Sequence, residues 1–318
     1  MDEPTAKKHK GGFPQIKALN SCAFKEFLES QLLHLPTIAN VEQISSRVVR
    51  VLGQNPSKFT LQGTNTYIVG TGSERLIIDT GQGMPEWAEL ISSTLSDSNF
   101  SLSRILLTHW HGDHAGGVPD LVRMYPHLAS SIYKNAPSKG QRPITDGQVF
   151  KVEGATVRAV HAPGHSNDHM CFVLEEENAM FTGDNIMGHG TAAVEQLGLW
   201  MESLRTMGSR GCIVGYPAHG VVIQHLSQKI EAQLASKTRR EMQILQTLAR
   251  LKNANLRRRV TIKELAHEIH GDQLSDEVRR AALEPFTEEV LRKLAEDGSV
   301  AFEVRSGEKK WYSVANTS

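Results

Sequence analysis

The stretch THWHGDHAGG, residues 108–117, concentrates three histidines and an aspartate within six positions. On an extended chain, positions i and i+2 face the same side. His109 and His111 therefore present two imidazoles together, the start of a divalent-metal site. Gly112 lets the chain turn, and Asp113 and His114 follow with a carboxylate and a third imidazole, a set suited to a second ion. Three more candidates lie at the ends of separate apolar runs: His165 in HAPGHSNDH, Asp184 in FTGDN and His219 in YPAHG. The residues thus divide into His109, His111 and His165 for one metal and Asp113, His114 and His219 for another. Asp184, with two oxygens, could bridge them. Nitrogen and oxygen donors without a thiolate favour Zn2+, with Mn2+ or Fe2+ as alternatives. The competing reading is a surface loop that is merely histidine-rich. Ligands converging from several strand ends argue against it, because that is how a preorganised site is built.

The chain has 14 histidines and this scheme uses five. His161 and His169 flank the third motif and are expected in structural or supporting roles. His189, five residues past Asp184, is a candidate for the mouth of the site by adjacency alone. His9, His34, His127, His225, His267 and His270 read as surface or helix-face residues.

Such a site needs rigid elements behind it. VVRVLG, NTYIVG, RLIIDTG, RILLTHWH, ATVRAVHAPGHS, DHMCFVLEE, AMFTGD and GCIVGYPAHG read as short buried strands,. Helical spacing appears near residues 16–34, 85–96, 116–126 and 192–207. The class is α/β, with sheets covered by helices. After Gly220 the texture changes. A long charged helix carries Ile230, Leu234, Leu245 and Leu248 as apolar anchors, and TIKE (261–264) is a capping-box pattern,. Ser275 or Asp276 is expected to cap a third helix and Thr287 a fourth running to Asp297. GSVAFEVRSGEKKWYSV then predicts strand, Ser-Gly turn and strand. The expected organisation is a tail and helix at 1–40, a catalytic domain at 41–225 and a winged-helix-like helical module at 226–318.

The bulk numbers restrict partners. Among 318 residues, 39% are hydrophobic and 22% charged, and the formal net charge is zero, so no global field favours nucleic acid or an anionic membrane,. No apolar run approaches about 18 residues, and the opening MDEPTAKKHKGGF lacks a signal-peptide core. Three scattered cysteines fit a reducing compartment,. A cytoplasmic protein without a membrane partner is expected.

HWHGDH with His165, Asp184 and His219 in that order resembles the metallo-β-lactamase-fold hydrolases over about residues 41–220. The resemblance implies an αβ/βα sandwich with a metal site at one edge. It also implies a supporting role near the metals for Asp79 in LIIDTG, and a proton donor/acceptor role for Asp113 beside its role as ligand. True β-lactamases often place a cysteine where Asp184 stands, so the pattern is more similar to glyoxalase II-like thioester hydrolases and lactamase-like endoribonucleases. GGFPQIKALN, VLGQNPSKFTLQGTNTYIVGTG and TGDNIMGHGTAAVEQLGLWMESL resemble the fungal atrochrysone carboxyl acyl-carrier-protein thioesterases. That likeness implies release of a polyketide thioester from the acyl carrier protein of a non-reducing polyketide synthase, yielding atrochrysone carboxylic acid for anthraquinone-type products. The ribonuclease alternative would use Arg257–Arg259 against a backbone, but a solvated charged face fits the balanced charge better. A binding-only protein would show a decayed site, and all seven ligand candidates are present.

Overall fold

The computed structural model describes residues 34–254, 259–271 and 279–314. The expected helix near 16–34, most of the arginine triplet and the Ser275/Asp276 cap lie outside them. Contacts divide the described chain into two units, 34–192 with 196–242, and 193–195 with 243–314.

The larger unit is built on two sheets. The first has seven strands in sequential order: β1 (Val41–Gln43), β2 (Val48–Leu52), β3 (Asn65–Val69), β4 (Glu74–Ile78), β5 (Ser101–Leu106), β6 (Ile132–Lys134) and β7 (Arg142–Pro143). Its pairings change from antiparallel to parallel at β4–β5. The second sheet has the order β12-β11-β10-β9-β8, from β8 (Val149–Val152), β9 (Ala155–His161), β10 (Met170–Leu174), β11 (Ala179–Gly183) and β12 (Val214–Pro217).

The central strands are apolar on both faces, as strands covered twice must be. Tyr67, Val69, Leu76, Ile78 and Leu106 point into a core shared with Phe150, Val157, Phe172, Phe181 and Tyr216 of the second sheet. Their neighbours Val49, Ile68, Ile77 and Ile105 pack on the opposite face against α1 (Pro85–Asp97), through Trp87, Ile91 and Leu95. The expected single helix at 116–126 is instead α2 (Gly112–Ala115), α3 (Val118–Met124) and a 3-10 turn, Pro126–Ser130. Tyr125 at φ −131 breaks the helix before Pro126, because the residue preceding a proline is driven towards extended backbone. The helix expected at 192–207 is α4 (Leu197–Ser209), which buries Trp200, Met201, Leu204 and Met207.

α5 (Leu226–Ala254) leads from the first unit into the second. It buries Leu226, Ile230, Ile244 and Leu248, while Leu234 and Leu245 are only half-buried. In the second unit, Thr261 accepts from the Glu264 N–H and Glu264 accepts from the Thr261 N–H, so the capping box opens α6 (Ile262–His270). A short π-helical stretch, Arg279–Leu283, leads into α7 (Glu284–Glu296). Thr287 does not cap this helix. It lies inside the first turn and is buried, because the helix continues backward through Glu284 and Pro285, where proline's missing N–H costs nothing. β13 (Val300–Arg305) and β14 (Glu308–Ser313) form the expected hairpin, with Ser306 and Gly307 turning it at positive φ. Among the described residues, no helix is long and apolar enough to cross a membrane.

Candidate metal centre

The site lies where strands of the two sheets end. Leaving β4, Asp79 takes a left-handed backbone, φ +58, which is unusual for a residue with a side chain. Its Oδ1 accepts from the Thr108 N–H at 2.8 Å and its Oδ2 from the Thr108 hydroxyl at 2.8 Å. Asp79 Oδ2 also meets His114 Nδ1 at 2.8 Å, which turns Nε2 of that ring away. The His114 carbonyl is held by the N–H and hydroxyl of Thr80. Thr108 O accepts from Met170 N at 2.7 Å, locking the motif to the second sheet. His111 caps α2, its carbonyl accepting from the His114 and Ala115 N–H groups. His219 leaves β12 beside Thr64, where Asn65 donates to Pro217 O and Gly220 O.

All seven candidates named from sequence come together. One group is His109, His111, His165 and Asp184, the other Asp113, His114 and His219; within each, one ligand atom per residue lies within 4.8 Å of the rest. His109 Nε2, His111 Nδ1 and His165 Nε2 are 2.7, 3.0 and 3.2 Å apart. The Asp184 oxygens diverge. Oδ2 is 3.3 Å from His165 Nε2, whereas Oδ1 is 3.3 Å from His114 Nε2 and 3.2 Å from His219 Nε2. Asp113 Oδ2 closes the second group at 3.3 and 3.2 Å from the same two nitrogens. Donors around a tetrahedral ion at the usual Zn–N length of about 2.0–2.1 Å are separated by about 3.3 Å. Buried His114 Nε2 and Asp184 Oδ1 have no hydrogen-bond partner among the described residues, a costly state that a cation relieves. The donor set fits divalent metal.

The electrostatics differ between the groups. Burial pushes the His109 imidazole well below its ordinary range, and the nearby His114 and His165 add to it. Burial also brings His111 down to about 3, so these two imidazoles present neutral lone pairs. Burial alone would lower His114 and His219 too, but carboxylates win. Asp113, Asp184 and Asp79 hold His114 well up, and Asp184 and Asp113 raise His219 to about 9. Burial would raise Asp113 and Asp184, and the facing imidazoles instead keep both ionised.

Of the other histidines, His169 lies directly behind the cluster, its Nε2 accepting from the Asp184 N–H at 3.0 Å. His161 lies at the exposed end of β9, with Nε2 3.2 Å from Asn167 O. His189 follows Gly188, whose N–H donates to His219 O. One supporting group carried no sequence signal. Lys134, buried at the end of β6, donates to Asp168 at 2.6 Å and to the Asn135 and Ala136 carbonyls at 2.8 Å each. Asp168 in turn accepts from Ser166, next to His165, at 2.8 Å. A lysine at a strand end reads as solvated, and only its spatial partner reveals otherwise.

A two-sheet sandwich carrying this histidine–aspartate cluster at the strand ends defines a metallo-hydrolase of the metallo-β-lactamase type. Residues 59–219 match the metallo-beta-lactamase superfamily, and the chain belongs to that superfamily. It is similar along nearly its whole length to proteins named atrochrysone carboxyl ACP thioesterase. One from Cryptosporiopsis sp. (strain 8999) is 66% identical over 313 residues, covering 96% of this chain and 97% of the relative. Another, from Aspergillus terreus, is 65% identical over 311 residues, covering 96% and 97%. A crystal structure of a beta-lactamase domain protein from Burkholderia ambifaria shares the fold, with a TM-score of 0.69 at 16% identity, covering 89% of this chain and 98% of that one.

Proposed function

We propose that this chain is a metal-dependent thioesterase that hydrolyses the acyl-carrier-protein-bound polyketide thioester of a non-reducing polyketide synthase, releasing atrochrysone carboxylic acid. The observation that carries the substrate is the 66% identity to a protein named for this activity, over 96% of the chain. The site supports the hydrolytic chemistry. His109, His111 and His165 would hold one divalent ion and Asp113, His114 and His219 a second, with the Asp184 carboxylate facing both groups; Zn2+ suits the donors best,. Such ions supply Lewis acidity and lower the pKa of water towards neutrality. Asp113 is the most open of the carboxylates, its side chain 24% exposed against 12% for Asp184. It can therefore take a proton from an entering water while still serving as a ligand. The expelled thiolate, with a parent pKa of about 8.5, leaves with little protonation, so no strong general acid is required. The buried free thiols of Cys171 and Cys212 suit a reducing, cytoplasmic setting,.

The test is reconstitution with a non-reducing synthase that lacks its own releasing domain, scoring free carboxylic acid with and without this protein. Release that depends on the protein and stops with chelator is expected. An unchanged release rate overturns the substrate assignment.

A further inference from the structure

We propose that His169 is a positioning residue that aims the Asp184 carboxylate at both ligand groups, so that the chain holds two cations rather than one. The proposal rests on the metal-holding reading of the site.

His169 is fully buried between the His165 loop and β10. Its ring centroid is 5.1 Å from that of His109 and 5.7 Å from that of His165, yet it belongs to neither ligand group. The reason is its partner. A backbone amide can only donate, so Nε2, 3.0 Å from Asp184 N, must offer its lone pair there,. That lone pair is spent on the backbone and is unavailable to a cation. The ring proton then resides on Nδ1, which lies 3.2 Å from Asn185 Nδ2, a nitrogen that itself donates to Ala162 O at 2.6 Å.

The turn is shaped around this ring. Gly183 has φ +51, and a β-carbon on it would lie 2.4 Å from His169 Nε2 and 2.8 Å from Cε1. Glycine leaves the space that the imidazole fills, which brings the ring against the peptide carrying Asp184. The rest of the turn is tied down by other groups. Ala218 N donates to Gly183 O, the Thr182 hydroxyl to Ile186 O, and the Trp200 indole to Asn185 O. The His169 contact is to the backbone of Asp184 itself.

The direction of that peptide decides where the carboxylate goes. The Asp184 oxygens face opposite groups at 3.2–3.3 Å, and a site of this kind tolerates about 0.5 Å of error. Without the acceptor, the amide of that peptide is left unpaired, and only the Ala218 donation to the Gly183 carbonyl still holds its plane,. The three-histidine group keeps its nitrogens, whereas the second group loses an oxygen it shares.

The experiment compares His169→Leu, which fills similar space without an acceptor, with His169→Gln, whose Oε1 can accept the same N–H. Each full-length protein is stripped with chelator and titrated with Mn2+. Stoichiometry and affinity are read by calorimetry, and ion–ion coupling by electron paramagnetic resonance. Wild type is expected to take two ions with a coupled spectrum. H169L should bind the second ion 10–100-fold more weakly and give an uncoupled spectrum. H169Q should stay within about threefold of wild type, since it keeps the hydrogen bond. Wild-type affinity and coupling in H169L overturn the proposal. Equal impairment in H169L and H169Q also overturns it, because the ring's bulk rather than its acceptor is then what matters. Should H169L not fold, long-range 15N–1H spectra of the Zn2+-loaded wild type decide: Nε2 unprotonated supports the assignment and a protonated Nε2 refutes it. A wild type that binds no cation brings down the metal-holding reading itself, a distinct outcome.

Discussion

The brace behind His165 offers a quantitative test. Lys134 and Asp168 are 4% and 5% exposed and 2.6 Å apart. Every Lys134 ammonium hydrogen has an acceptor, and the second Asp168 oxygen has Ser166. Lys134→Met leaves a buried carboxylate with one neutral donor, and Asp168→Leu leaves a buried ammonium with two carbonyls. Each single variant should cost about 3–5 kcal/mol, the cost of stranding a buried charge. The double variant strands none. It loses the Ser166 donation and the two carbonyl contacts, together about 2–4 kcal/mol. The singles sum to about 6–10 kcal/mol, so the cycle should return a coupling energy of at least about 2 kcal/mol. In thermal terms each single lowers Tm by about 6–20 °C, at about 2–4 °C per kcal/mol for a unit of this size. Urea melts in chelator, followed by tryptophan fluorescence, suit the measurement, because Trp87, Trp110 and Trp200 share a unit with the brace. Additivity within about 0.5 kcal/mol, or singles that cost under about 1 kcal/mol, would refute the reasoning.

Chelation should remove hydrolytic activity while leaving the far-ultraviolet dichroism unchanged, because the sandwich core does not depend on the ligands; Zn2+ or Mn2+ restores turnover. Gly164→Ala should cost about 3 kcal/mol or more in the same melts, since Gly164 has φ +127 and an added β-carbon would sit 2.4 Å from Trp200 N,. Burial raises the Cys212 thiol to about 11. Its thiolate fraction at pH 8 is then on the order of 100-fold below that of a free cysteine, and mass spectrometry should show iodoacetamide labelling slowed to match, rising tenfold per pH unit up to pH 11.

The ligand types and their order were legible in the chain because they sit in short local patterns. An i/i+2 pair followed by a turn needs no long-range information, nor does a histidine or aspartate closing a β-branched run. The capping box at Thr261 and Glu264 and the Ser306-Gly307 hairpin turn are local for the same reason. The limits of helices were less legible where neighbours compete: Thr287 looks like a cap until Glu284 and Pro285 extend the helix behind it. Along α5, burial falls on Ile244 rather than Leu245, and that choice depends on what lies opposite.

What only the tertiary structure decided are relations between distant residues. Lys134 meets Asp168 across 34 positions and His169 meets Asp184 across 15. The split of the Asp184 oxygens requires His114, His165 and His219 at the same edge. These contacts follow from strand order and register across two sheets, which no local window contains. The sequence by itself determined which atoms could hold metal. The fold determined which of them face each other, and which buried side chains keep them there.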